Sequence, residues 1–246
     1  MGIRILKGGM MTTVQDLGRY GYQSQGFSVA GVMDVRSFKI ANLLLDNPEN
    51  EAVLEITLIG PTLEFTSATI IAITGGDFQP TINGEPAPMY TALYMNKGDV
   101  LKFGSARTGS RGYIAFSSYL DIPVVMGSRC TNLKSGLGGF KGRKLEADDY
   151  IGFRIKRRYL PFFLSRKLDM DEFDQTEATL RVVMGPQDGM FSKQGIQTFL
   201  GSEYTVTNEF DRMGCRLEGP FIAPKKTSDI ISDGIAFGGY TGTFPW

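Results

Sequence analysis

The sequence contains 246 residues, with 26 basic and 26 acidic side chains and no histidine. A zero net charge argues against a general nucleic-acid binder, which needs a basic excess. No apolar run reaches the roughly 20 residues that span a bilayer. The lack of histidine excludes Ser-His-Asp and Cys-His nucleophile systems and removes the commonest transition-metal ligand. We therefore expect no nucleic acid, no membrane and no metal among the partners.

The chain has two cysteines, Cys130 and Cys215, and their wide separation argues against a disulfide framework or a zinc site. A reducing cytoplasm is the simplest location, since the N-terminal segment lacks the apolar core of a secretory signal. Cys130 follows Arg129, a cation that can lower a thiol pKa, but without histidine a catalytic cysteine is disfavoured. Cys215 falls in an apparent strand, where we expect a buried, inert thiol.

The first regular element in the chain is predicted to be a helix. Apolar residues recur at helical spacing from Val35 to Leu45, with Asp34 suited to the N-cap and Pro48 beyond the end. Short apolar runs rich in β-branched residues follow, at residues 53–59, 69–74, 90–95, 99–103 and 112–116. Asn83-Gly84 predicts a two-residue hairpin turn, residues 96–99 predict another turn, and a second helix is expected over roughly 189–200. This pattern predicts a mainly β fold with a few short helices, built as a barrel or sandwich.

A charge-segregated segment separates the two halves of the chain. Residues 154–167 carry six cations and no acid, and residues 168–177 carry five acids and no cation. The segment is either a basic patch for an acidic ligand or a solvated connector, and blocks of like charge favour the connector. We predict a half at residues 1–155, a charged connector at 156–178 and a second half at 179–246.

The first polar cluster in the chain covers residues 13–34. It holds Gln15, Asp16, Arg19 and Asp34 among glycines. Composition alone favours a plain surface loop. The functional alternative is a loop that brings a carboxylate and a guanidinium to one pocket, where the arginine fork would bind carboxylate or phosphate oxygens.

The second cluster is the glycine-rich stretch SGLGGFKGR at residues 135–143, which lies between Arg129 and Arg143. Its spacing fits neither the dinucleotide-binding motif nor the P-loop. Successive backbone N–H groups at Gly138 and Gly139 can form an anion nest, with the two arginines adding charge. Alternatively, the glycines supply positive φ at a tight corner.

The third cluster, residues 207–220, contains Asn208, Asp211 and Arg212 before a probable strand. Asp211 and Arg212 form either an exposed turn pair or part of a second pocket.

Seven motifs then occur in one order along residues 3–239. They are TVQDLGRYGY, the GV-x-D before the first helix, VLEITLIGP, MGSR with GLGGFKGRKL, RVVMGPQD, DRMGCRLEGP and SDGIAFGG. Together they resemble the family of the 5-oxoprolinase C subunit, also described as the KipA or allophanate-hydrolase-subunit-2 family. The resemblance implies a cyclophilin-like β-barrel architecture with one barrel-like unit in each half. The family continues through further strands where this chain ends in YTGTFPW, so we expect an incomplete, truncated second half.

The resemblance also implies a function in a complex. With the A subunit and the KipI-like B subunit of 5-oxoprolinase, such a chain takes part in ATP-dependent hydrolysis of 5-oxoproline to glutamate, with the ATP-binding component unassigned. One alternative is a carboxyltransferase-type subunit of a biotin-dependent urea or amide carboxylase, with biotin as cofactor. Another is a non-catalytic regulatory partner of a KipI-like protein.

Under the hydrolase interpretation, arginines would hold carboxylate or phosphoryl oxygens, and an aspartate would handle a proton or orient an arginine. The catalytic candidates are Asp16, Arg19, Asp34 and Arg129. The candidates for substrate or anion binding are Gln15, Gly138, Gly139, Arg143, Asn208 and Arg212.

Overall fold

The computed structural model describes residues 1–156, 159–169, 179–210, 214–225 and 239. Its strands and helices, in chain order, are β1 (Gly2–Lys7), β2 (Met11–Gln15), α1 (Val35–Leu44), β3 (Val53–Thr57), β4 (Thr62–Phe65), β5 (Thr69–Asp77), β6 (Thr81–Ile82), β7 (Glu85–Pro86), β8 (Ala92–Met95), β9 (Val100–Lys102), β10 (Thr108–Phe116), β11 (Tyr150–Gly152), α2 (Lys193–Gly201), β12 (Thr205–Phe210) and β13 (Cys215–Glu218). Antiparallel strands dominate, which confirms the predicted mainly β fold class. The chain divides into two compact units, residues 1–175 and 176–246.

The first unit is built from two antiparallel sheets. One has the strand order β11-β1-β4-β9-β6-β7, and the other has the order β2-β3-β10-β5-β8. Apolar side chains alternate along the strands, so that Ile3 and Ile5 of β1 share one buried cluster with Leu54 and Ile56 of β3. Each fully buried aliphatic side chain of this kind stabilises the fold by about 1.5–3 kcal/mol. The two sheets are therefore held together by a common hydrophobic core.

Helix α1 packs on the other face of the five-stranded sheet. Phe38 and Ala41 are buried there in a second cluster with Tyr113 and Ala115 of β10. Asp34 is the N-cap, and its carboxylate accepts a hydrogen bond from the Ser37 N–H at 3.0 Å. The predicted helix and its N-cap are confirmed.

The predicted turns are also present. Asn83 and Gly84 have φ values of 53° and 93° and join β6 to β7, as a type I′ turn requires. The Asp99 N–H donates to the Asn96 carbonyl at 3.2 Å, which closes the second turn. Strand β8 begins at Ala92, two residues later than the apolar run, because Tyr90 has a φ of 53° and leaves the extended conformation.

The basic part of the connector packs partly on the first unit. Leu160 is buried in the cluster beneath α1, and Phe163 packs against the same cluster. The Arg154 guanidinium contacts the Glu51 carboxylate at 2.5 Å and lies over the Tyr119 ring. This stretch therefore differs from a wholly solvated connector, while most of the acidic part lies outside the described residues.

The second unit contains α2 and the hairpin of β12 and β13. The Ser192 hydroxyl caps α2 by accepting from the Gly195 N–H at 2.9 Å, and the predicted second helix is confirmed. Cys215 lies in β13 but is exposed, so the expectation of a buried thiol is wrong. In the part that the structure describes, β13 pairs only with β12, and a two-stranded sheet buries little surface. None of the described helices is long and apolar enough to cross a bilayer.

Candidate functional site

Strand β2 is an edge strand of the five-stranded sheet, and the candidate site lies where other parts of the chain cover its outer edge. The Thr131 N–H donates to the Val14 carbonyl at 2.9 Å, and the Leu145 N–H donates to the Thr12 carbonyl at 2.8 Å. The chain between these two contacts carries the glycine loop, residues 135–143. The fold thus brings the polar residues after β2, the segment 126–132 and the glycine loop to one edge.

Asp16 ties the end of β2 to the segment 126–132. One carboxylate oxygen accepts from the Gly18 N–H at 2.9 Å and from the Ser128 hydroxyl at 2.7 Å. The other oxygen accepts from the Arg129 N–H at 2.6 Å. Asp16 is only 2% exposed. A buried carboxylate with three donors is a fixed anchor, and these contacts favour positioning over proton transfer.

Arg19 is fully buried beside the same segment. Its Nε donates to the Val125 carbonyl at 3.0 Å, and its Nη2 donates to the Cys130 carbonyl at 3.1 Å. Nη1 has no hydrogen-bond partner among the residues that the structure describes. The guanidinium is therefore oriented by backbone carbonyls, with part of its donor capacity unused.

Gln15 contacts the same segment, residues 126–132. Its Nε2 donates to the Thr13 hydroxyl at 2.9 Å and to the Thr131 carbonyl at 3.2 Å. The side chain is 1% exposed, and its Oε1 has no partner among the described residues. Gln15 and Arg19 thus both contact the Cys130–Thr131 backbone.

The glycine loop packs directly on this backbone. Gly138 and Gly139 have φ values of 68° and 54°, and a Cβ atom at Gly138 would lie 2.3 Å from the Cys130 carbonyl oxygen. At Gly139 it would lie 1.8 Å from the Thr131 hydroxyl oxygen. Both positions therefore require glycine, as expected for a tight corner. The N–H groups of residues 138–141 make no hydrogen bond to the described residues, and anion binding by them stays a prediction.

The two arginines that flank the glycine loop have different surroundings. Arg129 is partly exposed, and its Nε donates to the Ile122 carbonyl at 3.1 Å. Its terminal nitrogens make no hydrogen bond or ion pair with the described residues. Arg129 therefore keeps the donors that bind a carboxylate or phosphoryl group in a bidentate manner.

Arg143, in contrast, is occupied by protein carboxylates. Both of its terminal nitrogens contact the Asp149 carboxylate at 2.7 Å, and Glu146 lies 3.5 Å away. The hydrogen bonds from Arg143 hold the pKa of Asp149 below its usual range. These contacts favour a structural role in closing the glycine loop over anion binding.

The remaining candidates are Asp34, Asn208 and Arg212. Asp34 caps α1, and its second oxygen accepts from the Ser37 hydroxyl at 2.5 Å, so its contacts favour capping over proton transfer. Asn208 lies in β12 of the second unit. Arg212 falls outside the described residues, as does Asp211.

Sequence reasoning missed a buried pair on the α1 side of the sheet. The Tyr113 hydroxyl donates to the Glu55 carboxylate at 2.9 Å and accepts from the Asp34 N–H at 2.7 Å. The Met33 N–H donates to the same Glu55 oxygen at 2.8 Å, and burial together with the Glu55 charge raises the pKa of Tyr113. In the sequence, Glu55 in the middle of the apolar run VLEITLI could have indicated a buried carboxylate that needs a partner. This pair holds the chain that enters α1.

Cys130 is buried within the site, and burial raises its thiol pKa. The expectation that Arg129 lowers this pKa is therefore wrong: desolvation of the thiolate outweighs the hydrogen bond from Ser128 and the positive charge of Arg19. In the described part of the chain, no group of three or more His, Cys, Asp or Glu side chains could hold a metal ion.

Comparison with known proteins gives a consistent family. Residues 25–240 match the family described as carboxyltransferase domain, subdomain A and B. The chain is 32% identical over 237 residues to the C subunit of 5-oxoprolinase from Escherichia coli strain K12, covering 95% of this chain and 74% of the relative. It is also 32% identical over 228 residues to urea amidolyase of Lachancea kluyveri, covering 86% of this chain.

A solved structure agrees with these sequence relatives. The crystal structure of the K. lactis urea amidolyase has a TM-score of 0.76 and 30% identity over 92% of this chain. The chain spans only 12% of the L. kluyveri urea amidolyase and 14% of the K. lactis chain. It therefore corresponds to one part of those larger proteins.

Proposed function

Because the chain belongs to the carboxyltransferase domain, subdomain A and B, family, we propose that it is one component of an enzyme complex that acts on a small amide. The specific proposal is an ATP-dependent 5-oxoprolinase that hydrolyses 5-oxoproline to glutamate. The similarity to the C subunit of 5-oxoprolinase over 95% of the chain supports this choice. We propose the A subunit and a KipI-like B subunit of 5-oxoprolinase as partners, and a cytoplasmic location.

The state of Arg129 is the observation that carries the proposal. It is the flanking arginine of the glycine loop whose terminal nitrogens have no partner among the described residues, whereas Arg143 is bound to Asp149. A guanidinium binds a carboxylate or phosphoryl group through two parallel N–H donors. 5-Oxoproline carries a carboxylate, and an activated amide carbonyl carries negative charge on oxygen. Arg129 is suited to either group.

The neighbouring residues then have supporting roles. Asp16 fixes the Arg129 backbone by accepting its N–H at 2.6 Å, and Arg19 fixes the same segment through the Val125 and Cys130 carbonyls. Such preorganisation reduces the entropy that would otherwise be lost when a substrate is oriented. We assign a positioning role to Asp16 and an anion-binding role to Arg129, and two of the three nitrogens of Arg19 hold the segment that carries Arg129.

In this chain, we propose contacts to ATP or to carboxybiotin only at the anion-binding Arg129. The unpaired donors of Arg129 fit a phosphoryl oxygen or a carboxylate oxygen, so the residues present fit the anionic part of either cofactor. When bound in the complex, ATP would activate the stable lactam carbonyl. We assign the ATP site as a whole to the complex and not to this chain alone.

The decisive experiment is reconstitution with the A and B subunits, measuring ADP release that depends on 5-oxoproline. We expect turnover with the full chain, none when this chain is left out, and a loss of about 100-fold or more in kcat/KM for Arg129→Ala, typical of a lost charge-stabilising donor. Arg107→Ala is the matched control, because Arg107 is an exposed arginine bound to Asp77. Equal turnover for Arg129→Ala and Arg107→Ala would refute the assignment.

The similarity to urea amidolyases supports one alternative, a carboxyltransferase-type subunit that uses biotin. Under this alternative, Arg129 would hold the carboxylate that is transferred. The same complex would then transfer carboxylate from carboxybiotin to urea without any response to 5-oxoproline. A tight complex with the KipI-like partner that turns over neither substrate would instead support a regulatory role.

A further inference from the structure

Two buried polar atoms in the site lack partners, and they are of opposite kinds. Gln15 Oε1 is a hydrogen-bond acceptor and Arg19 Nη1 is a donor, and neither has a partner among the described residues. Their side chains are 1% and 0% exposed. Since a buried polar group without a partner costs free energy, each such atom in a native protein calls for an explanation, and a bound ligand would supply one here.

The orientation of the Gln15 amide is fixed by its surroundings. The Thr131 carbonyl oxygen can only accept a hydrogen bond, so the Gln15 NH₂ group must face it. The Thr13 hydroxyl accepts from the same NH₂ group. The acceptor end of the amide therefore points away from both partners.

The Arg19 guanidinium is fixed in the same way. Its Nε and Nη2 donate to two carbonyl oxygens, and these two bonds determine the plane of the rigid fork. Gln15 and Arg19 contact consecutive residues, Thr131 and Cys130, whose Cα atoms are about 3.8 Å apart across one peptide bond. The side chains that carry the unpaired acceptor and the unpaired donor thus bind consecutive carbonyl groups of one short stretch of chain.

We infer that this pair binds the amide group of the substrate, with Gln15 Oε1 accepting the amide N–H and Arg19 Nη1 donating to the amide carbonyl oxygen. The inference rests on the proposed function and names the group that the site recognises. A lactam or a urea supplies both an N–H and a C=O in one planar unit. An ester or lactone of the same shape supplies only the carbonyl and leaves Gln15 unpaired.

The glycine loop provides the route to this buried pair. A Cβ atom at Gly138 would lie 2.5 Å from Arg19 Nη2, so the loop backbone covers the guanidinium closely. The N–H groups of residues 138–141 make no hydrogen bond to the described residues, so lifting this stretch costs the bonds that its Gly138 and Phe140 carbonyls accept and the packing of Phe140 against the core. The loop is closed at its end by the bonds from Arg143 to Asp149, which remain in place.

The test compares a lactam with a lactone on the unaltered full chain. The probes are 2-pyrrolidinone and γ-butyrolactone, titrated separately while ¹⁵N NMR follows the Gln15 side-chain amide and the Arg19 Nε–H. We expect the lactam to shift both signals and to bind at least about 10-fold more tightly than the lactone, because the lactone leaves the Gln15 oxygen unpaired. Equal affinities, or signals that do not respond to saturating lactam, would overturn the inference.

Two variants separate recognition from stability. Gln15→Leu should bring the ratio of lactone to lactam dissociation constants close to 1. Asn47→Leu is the matched control, because Asn47 also has a buried unpaired amide oxygen but donates to Asn42 and Phe116 outside the site. If Asn47→Leu lost the preference equally, the effect would be one of general stability and the inference would be wrong.

A structure with saturating 2-pyrrolidinone gives the direct answer. An ordered water in contact with Gln15 Oε1 and Arg19 Nη1, with no lactam, would refute the inference. Binding of the lactam in the full chain without turnover in the reconstituted complex would reject the proposed hydrolase while leaving the inference intact. Turnover of 5-oxoproline in the complex, together with equal binding of lactam and lactone, would reject the inference and leave the proposed hydrolase intact.

Discussion

Replacement of Asp16 by Asn tests how the site is anchored. The substitution keeps the side-chain shape but replaces one carboxylate oxygen with an NH₂ group. The remaining oxygen can still accept from the Gly18 N–H and the Ser128 hydroxyl, which lie 2.9 and 2.7 Å from one oxygen in the native chain. The NH₂ group then faces the Arg129 N–H, which is also a donor and loses its 2.6 Å bond.

The size of the effect follows from this geometry. A hydrogen bond to a charged group contributes about 1.5–3 kcal/mol, and the loss leaves a partly buried N–H unpaired. Since about 1.4 kcal/mol corresponds to a tenfold change in an equilibrium constant, local opening at Arg129 should become roughly 10- to 150-fold more populated. The site would loosen without loss of the sheet core, because Asp16 lies outside the apolar cluster.

The assay is amide hydrogen exchange of Arg129 in the native full chain, read by NMR or by peptides that cover residues 125–132. Asp77→Asn is the control, because Asp77 contacts Arg107 on the surface, where the Arg107 side chain is 72% exposed. Such a surface pair contributes about 0–1 kcal/mol. If exchange at Arg129 were as slow in Asp16→Asn as in Asp77→Asn, Asp16 would not be the anchor.

Three further predictions concern two substitutions and the labelling of the native thiols. Gly139→Ala places a methyl group 1.8 Å from a hydroxyl oxygen at a φ of 54°, so the urea midpoint of the first unit should fall by the equivalent of roughly 2–5 kcal/mol. Ellman's reagent at pH 8 should label Cys215 rapidly and Cys130 only upon unfolding, as peptide mapping will show, because burial raises the pKa of the Cys130 thiol. Arg143→Met removes the partner that lowers the pKa of Asp149. The stability that this lowered pKa gives the native state is present above the usual aspartate range near pH 4 and is lost as the pH falls through the native pKa. The variant should therefore be less stable than the native chain at pH 7, and its stability should fall less steeply in acid.

Each of these three predictions has a control or a result that would contradict it. Gly136→Ala also has a positive φ, of 58°, but its Cβ meets nothing within 4 Å, so it should cost only the backbone strain of about 1–2 kcal/mol. Equal losses at Gly136 and Gly139 would refute the steric argument. Rapid labelling of both thiols would contradict burial of Cys130. Arg107→Met should leave the acid-unfolding curve unchanged, and a flattening there equal to that of Arg143→Met would contradict the role of Asp149.

Local features of the fold were predictable because their causes lie within a few residues. The Asp34 cap and the apolar spacing from Val35 define α1, and Asn83-Gly84 defines a turn through the conformations that these two residues tolerate. The side of β13 that Cys215 occupies was not predictable in the same way. Burial depends on what covers a strand, and the strand sequence alone does not carry this information.

In the candidate site, too, contacts between residues close in sequence were predictable and contacts between distant residues were not. Residue type and glycine content indicated Asp16, Arg19 and Arg129 as candidates in two separate clusters, and the structure shows that both clusters contact the segment 126–132. The bond from Ser128 to Asp16 spans 112 positions, and only the folded chain reveals it. Arg143 shows the opposite case: its partner Asp149 is six positions away, and attention to the nearby acids would have identified the pair.

The arrangement at the edge of β2 also has a consequence for how the chain is made. The residues that cover this edge, Thr131 and Leu145, emerge from the ribosome more than a hundred positions after Val14 and Thr12. Until they arrive, β2 presents an unpaired strand edge, which is a template for pairing with another chain. Contacts of such wide sequence separation form late in folding. The edge of β2 therefore stays partly uncovered in the nascent chain until residue 145 is made, and the contacts that fix Gln15 and Arg19 cannot form before residues 130 and 131.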